Sequence, residues 1–166
     1  MTRDQLFARR DYFNLVHGVT TRAITAFTDR DLDMRPRPGL RTPRELVFHI
    51  YAQEKLLAEA AREGRFTMQA ANGSNPEDPV NANAVAALAT VTDAVAYANF
   101  CHQVAEEIFR AMSEEDVARP VESFMGTYPA WQYFQFAYDE HWHHRGQLFV
   151  YLRLLGKEPP NLYDYQ

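Results

Sequence analysis

Cysteine is nearly absent from this chain of 166 residues: Cys101 stands alone and has no partner for an internal disulfide. The fold therefore has to rest on a buried core, and a single domain spanning residues 1–166 is long enough to make one. The expected setting is the reducing cytoplasm. No apolar signal core follows the N-terminal M-T-R-D-Q-L-F-A-R-R-D-Y, and no stretch reaches the ~20 apolar residues of a membrane span, so a soluble protein with no membrane partner is expected. A polybasic run is missing too. The formal charge is -5 with both signs interspersed, which gives a phosphate backbone little to hold and argues against direct nucleic-acid binding. Internal repeats, low-complexity tracts and domain boundaries are likewise absent.

Helical signals fill most of the chain. Thr2 with Gln5 forms a candidate capping box, and Leu6, Phe13, Val16, Ile24 and Phe27 carry a first helix to about Phe27. Thr42, Pro43 and Glu45 mark a second start, with a hydroxyl N-cap, proline at the first helical position and glutamate at the third. Leu46, His49, Ile50, Leu56 and Leu57 then follow at helical spacing to a glycine cap at Gly64. A third, alanine-rich helix is expected from Val80 or Asn81 to Met112, and a last one from Pro129 to about Leu155. Proline- and glycine-bearing connections separate the first helix from the second and the second from the third. The expected architecture is all-α, a four-helix bundle with long crossover connections.

Chemistry concentrates in residues 138–156, Y-D-E-H-W-H-H-R-G-Q-L-F-V-Y-L-R-L-L-G. Spacings of three and four place Glu140, His141 and His144 on neighbouring parts of one helix surface, which Leu148, Leu152 and Leu155 continue as an apolar stripe. His143 projects elsewhere. Imidazoles and a carboxylate beside such a stripe must be hydrogen-bonded or metal-bound. His49, on the apolar face of the second helix, supplies a partner from another element. Zinc, nickel or iron would accept His49, His144 and either Glu140 or His141, leaving positions open for water or substrate. His17, His102 and Cys101 read as packing or solvent-facing residues, Arg145 as an ion-pair former, and Gly146 as a mark of close helix packing.

The strings H-H-R-G-Q-L-F-V-Y-L-R-L-L-G with P-P-N-L-Y, and upstream T-P-R-E-L-V-F-H-I, resemble the DinB/YfiT-like family of small four-helix bundles. That resemblance implies a metal held by one histidine of the second helix and two histidines four apart on the last, the later just before R-G-Q. His49 and His144 match these positions. Glu140 stands where the earlier histidine of the last helix is expected, with His141 next to it, so either residue is the candidate third ligand. The resemblance further implies a homodimer, and a metal-dependent enzyme joining a low-molecular-weight thiol to an electrophilic substrate, or a related hydrolase or isomerase. The competing expectation is a noncatalytic stress- or damage-response bundle whose histidine cluster is structural.

Overall fold

The computed structural model describes residues 1–165. Three of its four long helices begin where a threonine hydroxyl satisfies a first-turn N–H group. Thr2 and Gln5 cap α1 (Arg3–Thr25) in a reciprocal capping box, and Thr42 and Glu45 do the same for α2 (Pro43–Glu63), which ends on Gly64 in the left-handed region (φ 74°). That conformation favours a residue without a Cβ. After α2 come the short strand β1 (Arg65–Phe66) and the short helix α3 (Met68–Asn72).

The expected third helix is two helices. A short α4 (Ala82–Ala86) turns through 115° into α5 (Val91–Arg110). The break has a local cause: Thr90 and Asp93 form a further capping box, which starts a new helix inside what reads as a continuous alanine-rich pattern. Leu88, in the bend, is buried against the core.

The fold is mostly helical, and a small sheet is added at one end. Residues 113–129, between the expected third and last helices, form the short helix α6 (Glu114–Ala118) and the hairpin β2 (Pro120–Ser123) and β3 (Gly126–Pro129). The strand order is β1-β2-β3, with β1 parallel and β3 antiparallel to β2, and Val121 pairs with Tyr128. Val121 and Phe66 are buried beneath this sheet. Strands of two to four residues are too short for a periodic signal to reveal them. Pro129 is the N-cap of α7 (Ala130–Leu154) rather than its first residue.

The four long helices share one packing scheme, in which α1 and α2 each lie against α5 and α7. Their apolar side chains form two clusters. One gathers Val19, Ile24, Leu46, Ile50, Ala98, Leu148 and Leu152 with their neighbours; the other gathers Leu6, Phe13, Val16, Leu57, Ala105, Phe109 and Phe134. Between these clusters each helix contributes polar residues: His17 from α1, Glu54 from α2, His102 from α5, and His141, His144 and Arg145 from α7. A polar layer thus crosses the molecule at mid-height.

Glu54 is the hub of this layer. It accepts from His102 Nδ1 at 2.8 Å and from Arg10 Nη1 at 3.3 Å, while Arg10 Nε reaches Glu106 at 2.6 Å. Burial pushes the Glu54 carboxyl up, but the charge and hydrogen bond of His102, with Arg10, overcome it and hold the group at about 2. His102 also meets Asn14 at 2.9 Å and stacks on His17, ring centres 3.9 Å apart. His17 in turn bridges Tyr51 Oη at 3.0 Å and Asn99 at 2.9 Å. These two histidines, read from the sequence as packing residues, belong to a single hydrogen-bonded network that the linear sequence does not display.

Acid should weaken this arrangement in a defined order. Burial, then the charge of His102, lowers the His17 pKa from 6.5 to about 4, so the unfolded chain takes up its proton first. The contribution of neutral His17 is complete above pH 6.5 and is lost as the pH falls towards 4; Glu54 acts in the same direction in a lower window, from its ordinary 4.5 down to about 2. Denaturant unfolding of metal-free protein should therefore show stability falling between pH 7 and 5, and His17→Gln should remove about 1–2 kcal/mol of that fall. An unchanged pH slope in the variant would contradict the assignment.

Candidate metal centre

His49 lies near the middle of α2 and His144 in the second half of α7, the two helices of most extensive mutual contact. Their rings stand 4.7 Å apart at 87°, edge to face. Glu140, one turn before His144, places Oε2 at 3.2 Å from His144 Nε2 and 3.6 Å from His49 Nε2. One donor atom from each of the three residues falls within 4.8 Å of the others. Metal bonds of about 2.0–2.2 Å at tetrahedral angles put ligand atoms roughly 3.3–3.5 Å apart, so the observed separations fit a common ion. The donor set of two imidazoles and one carboxylate suits zinc and iron sites with open positions.

The far side of each ring is already committed. His49 Nδ1 lies 2.7 Å from the carbonyl oxygen of Ser74, which can only accept, so Nδ1 carries the proton and Nε2 presents a lone pair. His144 Nδ1 donates in the same way to Gln147 Oε1 at 2.8 Å. Ser74 is itself fixed: its hydroxyl bonds to Gln53 and, at 2.9 Å, to the Ala71 carbonyl, and Asn81 Nδ2 ties down the Asn72 and Asn75 carbonyls at 2.9 and 2.8 Å. The long connection after α3 thus sets the orientation of a histidine on α2. When protons also occupy the two Nε2 atoms, hydrogen bonds from His144 and then His49 hold the Glu140 carboxyl well below the usual carboxylate range. Two Nε2 atoms facing an ionised carboxylate need either protons or a cation between them.

His141 is not part of this group. Adjacent to Glu140 but rotated by about 100°, it points towards α1. Thr20 donates its hydroxyl to the Val16 carbonyl at 3.0 Å and accepts from His141 Nε2 at 2.7 Å. The ring is 1% exposed, packed edge-on against Phe13 and Tyr51, and burial drives its pKa from 6.5 to about 3. A neutral core histidine results. Of the four residues singled out in the sequence, the structure brings His49, Glu140 and His144 together and sends His141 elsewhere.

Other residues of the last helix also resolve. His143 is exposed, its Nε2 3.4 Å from Gln147 Nε2. Gly146 faces open space, with no atom within 4 Å of the Cβ it lacks, so the expected close helix approach is not there. Arg145 forms no ion pair among the described residues. Cys101 is 1% exposed and burial raises its thiol to about 11, which removes it as a nucleophile. Ser74, Gln147 and Gln53 were missed as supporting residues. The i,i+3 spacing of Gln147 from His144 was the available signal; Ser74, remote in sequence, offered none.

Known proteins agree with this fold. A family model described as the DinB family matches residues 3–166. The crystal structure of a DinB-like protein, YjoA, from Bacillus subtilis superposes with a TM-score of 0.72 over 93% of this chain and 95% of that one, at 23% identity. None of the curated proteins compared matches the chain. No single helix among the described residues is long and apolar enough to cross a membrane.

The hydrogen-bond pattern fixes three tautomers that nitrogen NMR can read. In metal-free protein at alkaline pH, His49 and His144 should be protonated at Nδ1, whereas His141 should carry its proton on Nε2. Finding Nε2–H at His49 and His144 would remove the convergence of lone pairs on Glu140.

Proposed function

We propose, from the premise that this chain belongs to the DinB family, that its four long helices form a four-helix bundle with crossover connections around one divalent metal site. His49, Glu140 and His144 would hold the ion, whether zinc, nickel or iron. The activity is that of a metal-dependent enzyme, a low-molecular-weight-thiol S-transferase or a related hydrolase or isomerase. The observation that carries the reading is the convergence of Nε2, Nε2 and Oε2 on one point while both Nδ1 atoms are spent elsewhere.

A divalent ion at this point would act as a Lewis acid, lowering the pKa of a bound thiol or water and keeping its anion in place. The protein's own groups do the rest. Ser74 and Gln147 prevent the two rings from turning, so their lone pairs stay aligned. Glu140 is the open side of the site, with 42% of its side chain exposed against 14% for His49 and 11% for His144. A substrate would arrive past the carboxylate, whose second oxygen would take the proton a thiol or water gives up. Because Cys101 is buried and protonated, the thiol comes from solution. The alternative, a noncatalytic bundle, would have the same three groups joined by protons on the imidazoles.

Metal content separates these readings. Untagged protein should retain close to one equivalent of metal through gel filtration, and Glu140→Ala should weaken affinity by far more than His141→Ala, which removes only a core contact with Thr20. Equal effects of the two substitutions, or no metal after reconstitution, would favour the protonated cluster.

Reactivity follows from the same geometry. The metal-loaded protein should accelerate addition of a small thiol to a model electrophile, and His144→Ala should abolish the acceleration while Cys101→Ser retains it. Equal rates for His144→Ala and wild type would take the cluster out of the mechanism.

A further inference from the structure

Two arginines of this protein have fully buried side chains, and only one is neutralised. Arg10 is matched by Glu54 and Glu106. Arg145 is 1% exposed, and its Nη1 and Nη2 have no hydrogen-bond partner among the described residues. Its guanidinium lies 3.8 Å from the centre of the Trp142 ring and 5.5 Å from that of Phe149. The groups whose charge would reach it are phenols, those of Tyr165, Tyr12, Tyr138 and Tyr51. Ring faces stabilise such a cation by less than desolvating it costs. A buried guanidinium with two free donors is therefore an incomplete ion pair.

Tyr165 and Tyr12 head the phenols that act on Arg145, and they also meet each other. Tyr12, 38% exposed, meets Tyr165 hydroxyl to hydroxyl at 2.9 Å. Tyr165 is carried by the tail that follows α7, whose Asp164 lies 3.5 Å from Arg22 Nε. Tyr12 also lines a groove of about 420 Å³ between α1 and α7, with Ala8, Arg9, Phe134, Gln135 and Tyr138. The groove reaches Arg145 through its own rings: Tyr138 lies 6.5 Å from Tyr12 and 6.0 Å from Trp142, on whose face the guanidinium rests.

We propose that Arg145 and this groove form a binding site for a small aromatic or apolar monocarboxylate, closed by the Tyr12–Tyr165 pair. The two free Nη donors match the two oxygens of a carboxylate in a planar fork. One negative charge completes the pair, whereas a phosphate dianion would leave uncompensated charge among ring faces. The groove's Tyr12, Phe134 and Tyr138 accept the apolar body of the ligand, and its volume lies in the range of small-molecule sites. The proposal does not depend on metal at His49, Glu140 and His144.

Benzoate is the probe, titrated into the metal-free full chain by calorimetry, with benzamide as its neutral analogue and inorganic phosphate as the dianion. Saturable benzoate binding is expected, weakened about tenfold or more in Arg145→Met and tightened in Tyr165→Ala, which breaks the Tyr12–Tyr165 pair and leaves Arg145 in place. Benzamide and phosphate should bind at least about tenfold more weakly than benzoate. Arg9→Met, which removes an exposed groove cation held by Gln135 at 2.6 Å, should change affinity little. Equal benzoate affinity in wild type and Arg145→Met overturns the proposal, as does a larger loss in Arg9→Met than in Arg145→Met. Should Arg145→Met fail to fold, the remaining comparisons decide: equal binding of benzamide and benzoate, or no saturable benzoate binding to either wild type or Tyr165→Ala, overturns it equally.

Discussion

The constraint on which this structure depends is a layer of buried polar groups lying between two apolar clusters. Glu54 is its centre: a carboxylate removed from water by helix packing must be met by cations and donors, and Arg10 and His102 meet it. Once Glu54, His102 and His17 are locked to one another, α1, α2 and α5 can adopt only one register, because sliding any helix by a turn would strand a buried charge. Replacing one member is therefore a larger perturbation than its single hydrogen bond implies.

The last helix contributes to this layer in three directions at once. Glu140 and His144 turn to α2 and leave an ionised carboxylate facing imidazole nitrogens near the surface. His141 turns to α1 and becomes a neutral core residue held by Thr20. Arg145 turns to Trp142 and a group of tyrosines. Residues adjacent in sequence thereby occupy three environments with opposite demands on charge. The 100° step of the helix produces this separation, and it explains how one short string can serve both packing and chemistry.

The connection between α3 and α5 has a role that its irregular sequence conceals. Its backbone carbonyl at Ser74 fixes the His49 ring, and Asn81 fixes the loop that carries Ser74. Orientation of the centre is thus set from outside the helices that hold it, as is common for ligands whose second ring nitrogen must be committed.

The sequence by itself determined the starts of α1 and α2 and the residues able to gather at a centre. Thr2 with Gln5, Thr42 with Glu45 and the glycine at 64 act within a few residues of themselves, so their consequences are local and readable. His49 and His144 were identifiable because helical spacing placed each on an apolar face. The alanine-rich pattern concealed the Thr90 cap that breaks the third helix, and two- to four-residue strands carried no periodic signal. Tertiary structure alone set Glu140, and not His141, beside His49 and His144, because the two residues meet different neighbouring helices. It also decided that His17 and His102 join Glu54, that Gly146 faces open space and that Arg145 is buried without a counterion. Each of these depends on contacts between residues tens of positions apart, and desolvation, which assigns their charges, exists only after the helices have packed.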